Sequence, residues 1–280
     1  MPLASKKLDR RLERLALLGS DVVLPFVMSL LDGRVAGEVT EEEVEQSLRI
    51  VESYLFRRFA ASVPTNALNK IFASLYQDVK KLRGAEDSFT DVLTYSLRRR
   101  EDSGRFPTDA EFRDGFLSRN FYSGPSGRRA YVFEVLENRD SNDIRDIAGG
   151  LENDTISVEH IMPQTLTPSW QEALGEDWEA THAKHKDRLG NLTVTGYNSK
   201  YSNSSFLEKL TTKDGFKDSP YRLNHYVREQ TEWGPQQIEE RAKRLLADAM
   251  EYWALPSTDF TPPVRPLPTL SMGTDNDFTN

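Results

Sequence analysis

A mainly α-helical protein with one small strand–strand–helix unit embedded at residues 156–210 is what this sequence predicts. Three observations lead there. Across residues 5 to 100, apolar side chains recur at helical spacing behind capping sequences. Val158-Glu159-His160-Ile161-Met162-Pro163-Gln164 reads as a strand that stops at a proline, because Pro163 cannot donate to a ladder and restricts Met162 before it. After Gly190, the alternation of Leu192 and Val194 reads as a second strand, and Phe206-Leu207-Glu208-Lys209 as a helix.

The elements follow in chain order. Thr40-Glu41-Glu42-Glu43 is a capping box, and Val44, Leu48, Val51, Leu55 and Phe59 then share one helical face until Pro64 ends the unit. Leu68, Ile71, Leu75, Val79 and Leu82 repeat the pattern. Basic clusters at Arg57-Arg58, Lys80-Lys81-Arg83 and Arg98-Arg99-Arg100 read as solvated helix ends. Thr108-Asp109-Ala110-Glu111 caps a further helix with Phe112 and Phe116 four apart. Residues 130–138 make a short apolar helix, and an acidic stretch from Asp140 to Asp154, broken by Gly149-Gly150, precedes the first strand. Gly234-Pro235 opens the last helix, with Ile238, Ala242, Leu245, Ala249 and Tyr252 on one face and Trp253 closing it. Beyond Pro256 the composition turns to Pro, Thr, Asp and Asn, which predicts a disordered tail. The expected organisation is a helical region over 1–105, a second domain over 106–255, and the tail over 256–280.

Composition narrows the class. At 280 residues the chain can bury a substantial core. It has no cysteine, so a disulfide framework and a cysteine-ligated zinc are excluded. Met1 to Arg14 is charged throughout, unlike a signal peptide. The longest apolar run, Val22 to Leu31, is about half a membrane span and contains Pro25 and Ser29. A cytoplasmic protein with no membrane partner is expected, so the sequons at Asn191 and Asn203 read as coincidence. The net charge of −8 argues against general electrostatic binding to nucleic acid. Residues 184–213 differ: Lys184, Lys186, Arg188, Lys200, Lys209 and Lys213 against Asp187 and Glu208 leave a local +4. Either this is a solvated face or it meets phosphate.

Strand, long loop, strand, helix, with His160 at the first strand end and asparagines at 191 and 198, is the element order of a ββα-metal nuclease site. VEHIMPQ followed by RLGNLTVTGYNSKYSNSSFLEK resembles, over residues 158–209, the HNH-like C-terminal domain of GmrSD-type restriction endonucleases, the SspE-like group among them. Asp21-Val22-Val23-Leu24-Pro25 and Tyr54-Leu55-Phe56-Arg57-Arg58 resemble the helical region preceding that domain.

The resemblance implies a metal-dependent DNA endonuclease of restriction or anti-phage defence, nicking one strand per event and leaving a 5′-phosphate and a 3′-hydroxyl. It implies His160 as general base and Glu159 and Asn198 as oxygen ligands for Mg²⁺ or Mn²⁺. Asn191 would orient the His160 ring or the second strand. Arg188, Lys200, Asn203 and Lys209 would meet DNA, with Asn203 capping the helix and Lys209 touching phosphate. It further implies a nucleotide-hydrolysing N-terminal domain or subunit; no glycine-rich phosphate loop occurs in these 280 residues.

Ordinary readings stand beside these. His160 alone reads as a hydrogen-bonded buried histidine, and the asparagines as turn residues. Adjacent residues of a flat strand face opposite ways, so Glu159 and His160 share a site only if the strand ends or twists there. His182 and His185 imitate a metal pair, but no carboxylate stands at matching spacing, and surface histidines are the simpler reading. The alternative function is a catalytically inactive helical subunit that docks a nucleotide-hydrolysing partner.

Overall fold

Thr40 and Thr108 cap their helices reciprocally: each hydroxyl accepts from the backbone N–H three residues on, while Glu43 and Glu111 accept from the two cap N–H groups. Glu43 also accepts from Phe89 N at 2.9 Å, joining two helix starts. The computed structural model describes residues 6–19, 21–139, 141–196 and 201–263. In order come α1 (Lys6–Leu17), α2 (Leu24–Val35), α3 (Glu41–Ala60), α4 (Leu68–Leu82), α5 (Phe89–Arg98), α6 (Asp109–Ser118), α7 (Ser126–Asn138) and α8 (Ile147–Glu152). Then follow β1 (Ser157–His160), α9 (Pro168–Leu174), α10 (Trp178–His185), β2 (Leu192–Thr195), α11 (Phe206–Thr211), α12 (His225–Arg228) and α13 (Pro235–Tyr252). The protein is mainly helical, and no helix among the described residues is long and apolar enough to cross a membrane.

The buried face of α3 organises the larger hydrophobic core. Phe56 stacks on Trp253 at 3.9 Å between ring centroids, and Tyr131 links α3 to Trp253 at the end of α13. Its hydroxyl donates to Glu52 Oε1 at 2.7 Å and accepts from Trp253 Nε1 at 2.6 Å. One apolar cluster therefore runs from Leu8 to Trp253, across residue 105. Residues 256–263, the first part of the expected tail, lie against α5: Arg98 donates to Pro256 O at 2.9 Å and Phe260 packs on Tyr95. The rest of that tail lies outside the described residues.

Arg57 and Arg58 differ from the expected solvated helix end: both are buried. Arg57 donates to Trp253 O, Pro107 O and Asp109, while Arg58 donates to Arg105 O, Pro64 O and Ser103 O. The guanidinium fork satisfies carbonyls of the 103–107 connection that no helix pairs, which makes burial of the charge tolerable.

A second, smaller apolar cluster underlies the strands. Ile161 and Met162 pack with Trp170, Phe206, Leu210 and Trp233. β1 and β2 form a two-stranded antiparallel sheet with Ser157 opposite Thr195, Glu159 opposite Thr193 and His160 opposite Leu192. The approach to β2 is fixed by α13. Fully buried Arg241 donates to Leu189 O, Gly190 O, Leu192 O and Leu223 O at 2.8–3.1 Å. Burial pushes its pKa down to about 9, which leaves the group charged at neutral pH. Gly190 sits so close to α13 that a Cβ there would meet Ile238 O at 2.3 Å. Only glycine permits that crossing.

Candidate active site

The end of β1 is where the chemistry-bearing side chains gather. Successive strand residues face opposite ways, and Glu159 and His160 do so here. Glu159 turns towards α11, where its Oε1 lies 2.6 Å from Lys209 Nζ. His160 turns to the other side, where its Nε2 is 3.1 Å from Asp187 Oδ1 and the Tyr122 ring packs edge-on at 4.4 Å between centroids. The two neighbours do not share a site.

Asp187 is held from the other side. Asn120 Nδ2 donates to its Oδ2 at 3.0 Å, and Phe121 N donates to its carbonyl oxygen at 3.0 Å. A carboxylate only accepts, so His160 Nε2 carries the hydrogen and Nδ1 keeps its lone pair. Burial pushes the His160 pKa below its ordinary value, against the pull of Asp187 and with help from Lys209 and Lys186. The imidazole is therefore neutral at pH 7, the form that can accept a proton.

Asn191 is fully buried and fully bonded. Its Oδ1 accepts from Met162 N at 2.8 Å and Trp233 Nε1 at 3.0 Å; its Nδ2 donates to Met162 O at 2.8 Å and Lys186 O at 2.9 Å. It mimics a strand partner for Met162, two residues past the end of β1, and Ile161 N adds a bond to Asn191 O at 3.0 Å. Its contact is with the chain that carries His160, not with the imidazole ring.

Lys209, expected on a DNA-facing surface, is instead buried, donating to Glu159 and, at 2.9 Å, to His160 O. Desolvation lowers its pKa, and raises that of Glu159 to about 7, so each charge persists inside only through the other. Asn203 is exposed in the turn before α11, but the cap is Ser205, reciprocally bonded with Glu208. Arg188 is half-buried and donates to Lys184 O at 2.9 Å. Asn198 and Lys200 lie outside the described residues. Lys184 pairs with Glu239 at 3.0 Å, so partners from elsewhere in the chain shrink the local +4. His182 bonds Pro163 O at 2.9 Å and His185 lies 3.7 Å from Glu239, so the two histidines have separate partners.

Among the described residues no three His, Asp or Glu side chains gather as a metal site. Glu159 does not fit the ligand role expected of it, because its carboxylate faces an ammonium in the interior. The residues that sequence reasoning missed are Asp187, Asn120, Tyr122, Trp233 and Ser205. Ser205-Phe206-Leu207-Glu208 is itself a capping-box sequence that could have been read; the others meet the strand end only through tertiary contact.

The chain matches the family described as GmrSD restriction endonucleases, C-terminal domain, over residues 106–248. No curated protein matches the chain. Tyr122, His160, Asp187, Asn191 and Lys209 all fall within the matched range.

Proposed function

The chain belongs to the GmrSD restriction endonuclease C-terminal domain family, and on that premise we propose that it is an HNH-like phosphodiesterase that nicks DNA, with His160 as general base. The observation that carries this reading is the His160–Asp187 pair at the end of β1, inside the family range. A neutral imidazole with Nε2–H committed to a carboxylate presents Nδ1 to an attacking water. Nδ1 takes the water proton as the oxygen bonds phosphorus, the P–O3′ bond breaks and O3′ takes a proton from solvent, and Asp187 stabilises the imidazolium. The products are a 5′-phosphate and a 3′-hydroxyl.

Asn191 positions this machinery by holding Met162 on both its N–H and its carbonyl. The Glu159–Lys209 pair fixes α11 beneath the strand and so completes a ββα arrangement around the base. Mg²⁺ or Mn²⁺ would supply positive charge at the leaving oxygen. The described side chains do not assemble its donor set.

The test is plasmid nicking by the purified chain with Mg²⁺ or Mn²⁺, wild type against His160→Ala. Relaxation of supercoiled plasmid by the wild type alone supports the reading. Equal nicking by the variant removes His160 from the chemistry. Failure of both to nick, with DNA or a partner protein still bound, favours the inactive interaction subunit.

A further inference from the structure

A cavity of about 310 Å³ opens beside α3, with Arg119 in its lining. Its floor is apolar, built from Leu18, Leu55, Val63 and Leu68, and Phe59 stands in its wall. Two guanidiniums flank that ring: Arg119 Cζ lies 3.9 Å and Arg128 Cζ 5.2 Å from its centroid. Arg119 donates to Ser62 Oγ at 2.7 Å and Arg128 to Leu18 O at 3.1 Å. Among the described residues no carboxylate lines this cavity. Arg58 adds a third charge to the wall; its two terminal nitrogens donate to carbonyls, while its Nε is buried without a hydrogen-bond partner.

Two like charges drawn to one aromatic ring without a carboxylate are poised for an anion. Burial, and then the Arg128 charge, push the Arg119 pKa down, so an anion between them would relieve repulsion. Arg119 Nε is buried with no hydrogen-bond partner, a donor left for an incoming acceptor. The acidic side chains nearby, Glu111 and Asp114, line a separate cleft beyond Arg119. Glu111 is committed there to Arg105 and its helix cap.

We infer that Arg119 and Arg128 form a subsite for a backbone phosphate of the DNA strand, away from the scissile bond. The inference rests on the nuclease reading for the choice of DNA as the phosphate source. Guanidinium forks match phosphate oxygens, and such contacts position a duplex without reading its sequence. The placement also links subsite and base: Arg119 lines the cavity, and the next residue, Asn120, holds the Asp187 carboxylate that holds His160.

The experiment is a salt titration of binding to a labelled duplex in the presence of chelator, so that nothing is cut. Arg119→Gln with Arg128→Gln should reduce the slope of log affinity against log salt by about one to two units, equally for unrelated sequences. The paired Lys replacements, which keep the charge, should preserve the slope. Ser62→Asp sets a carboxylate beside Arg119 without removing an arginine, and should lower the slope by about one unit; it decides the matter if the Gln variant fails to fold. An unchanged slope in folded Ser62→Asp overturns the subsite. So does loss of inorganic phosphate binding with duplex binding intact, which would assign the cavity to free phosphate. An arginine-dependent slope in a chain that never nicks would keep the subsite and defeat the nuclease reading; nicking with no such dependence would do the reverse.

Discussion

Lys209 Nζ lies 2.6 Å from Glu159 Oε1 and 2.9 Å from His160 O, so one buried ammonium ties α11 to both residues at the end of β1. Desolvation acts on both partners, raising the carboxyl to about 7 and lowering the ammonium. The pair is thus worth little net stability, yet removing either half strands the other.

That asymmetry gives the first prediction. Glu159→Leu or Lys209→Met alone should destabilise the protein by about 3–5 kcal/mol, whereas the double variant should recover most of the loss. Denaturant unfolding of the three proteins measures this. The double variant should also retain nicking, since Glu159 is assigned to the scaffold and not to the reacting atoms. A double variant that is fully stable but inactive would return Glu159 to the chemistry.

Asn191 supplies the second. Asn191→Ala deprives Met162 N, Met162 O, Lys186 O and Trp233 Nε1 of their partner in a dry interior. Each buried group left unsatisfied costs about 1–3 kcal/mol, so with four such groups a loss of at least about 4 kcal/mol is expected. Nicking should fall with it, even at temperatures where the variant remains folded. Wild-type stability in the variant would show that water replaces the amide and that the clamp is dispensable.

How far these arrangements were legible in the sequence depended on how local their causes are. Thr40-Glu43 and Thr108-Glu111 were readable because a capping box closes within four residues. Arg57 and Arg58 misled because their carbonyl partners at 103–107 and 253 lie far along the chain. Strand alternation raised the difficulty that Glu159 and His160 face apart. A strand ending at Pro163 left a shared site open, and Glu159 was expected as a metal ligand beside His160. What each one faces, Lys209 or Asp187, was a tertiary fact that no pattern over residues 158–164 contains. The charge count over 184–213 failed for the same reason, since Glu159 and Glu239 neutralise two of its lysines from outside that window.

The third prediction is a pH profile. Burial holds the His160 pKa below 6.5, so the neutral base predominates at neutral pH. Nicking should be flat through neutrality and fall only as pH drops through that lowered value. Asp187 pulls the pKa upward, so Asp187→Asn should move the acid limb to still lower pH. The same variant should slow nicking by about 10–100-fold through loss of ring orientation, a typical cost for such partners. An acid limb that stays in place in Asp187→Asn would mean that another group titrates.

The fourth concerns metal. Nicking should vanish with EDTA and return with Mg²⁺ or Mn²⁺, ions that hold several waters and need few protein ligands. Thermal unfolding should shift little on chelation, because no three-residue donor cluster stands among the described residues. Asn198→Ala should raise the metal concentration needed for half-maximal nicking. Full activity in chelator would make the mechanism metal-free.

The fifth concerns where discrimination resides. The candidate base and the arginine subsite both act on the phosphodiester backbone, and backbone contacts carry no sequence information. These 280 residues contain no glycine-rich phosphate loop and no zinc-finger ligand set, since cysteine is absent. Acting alone, the chain should nick plasmid weakly, with little preference among sequences or modifications and no response to ATP or GTP. Recognition of modified DNA and control by nucleotide should then require a nucleotide-hydrolysing domain or partner. The measurement compares nicking of modified and unmodified plasmid by this chain, with and without nucleotide. A strong preference for one plasmid, or clear stimulation by nucleotide, would place the sensor within these residues and refute this division of labour.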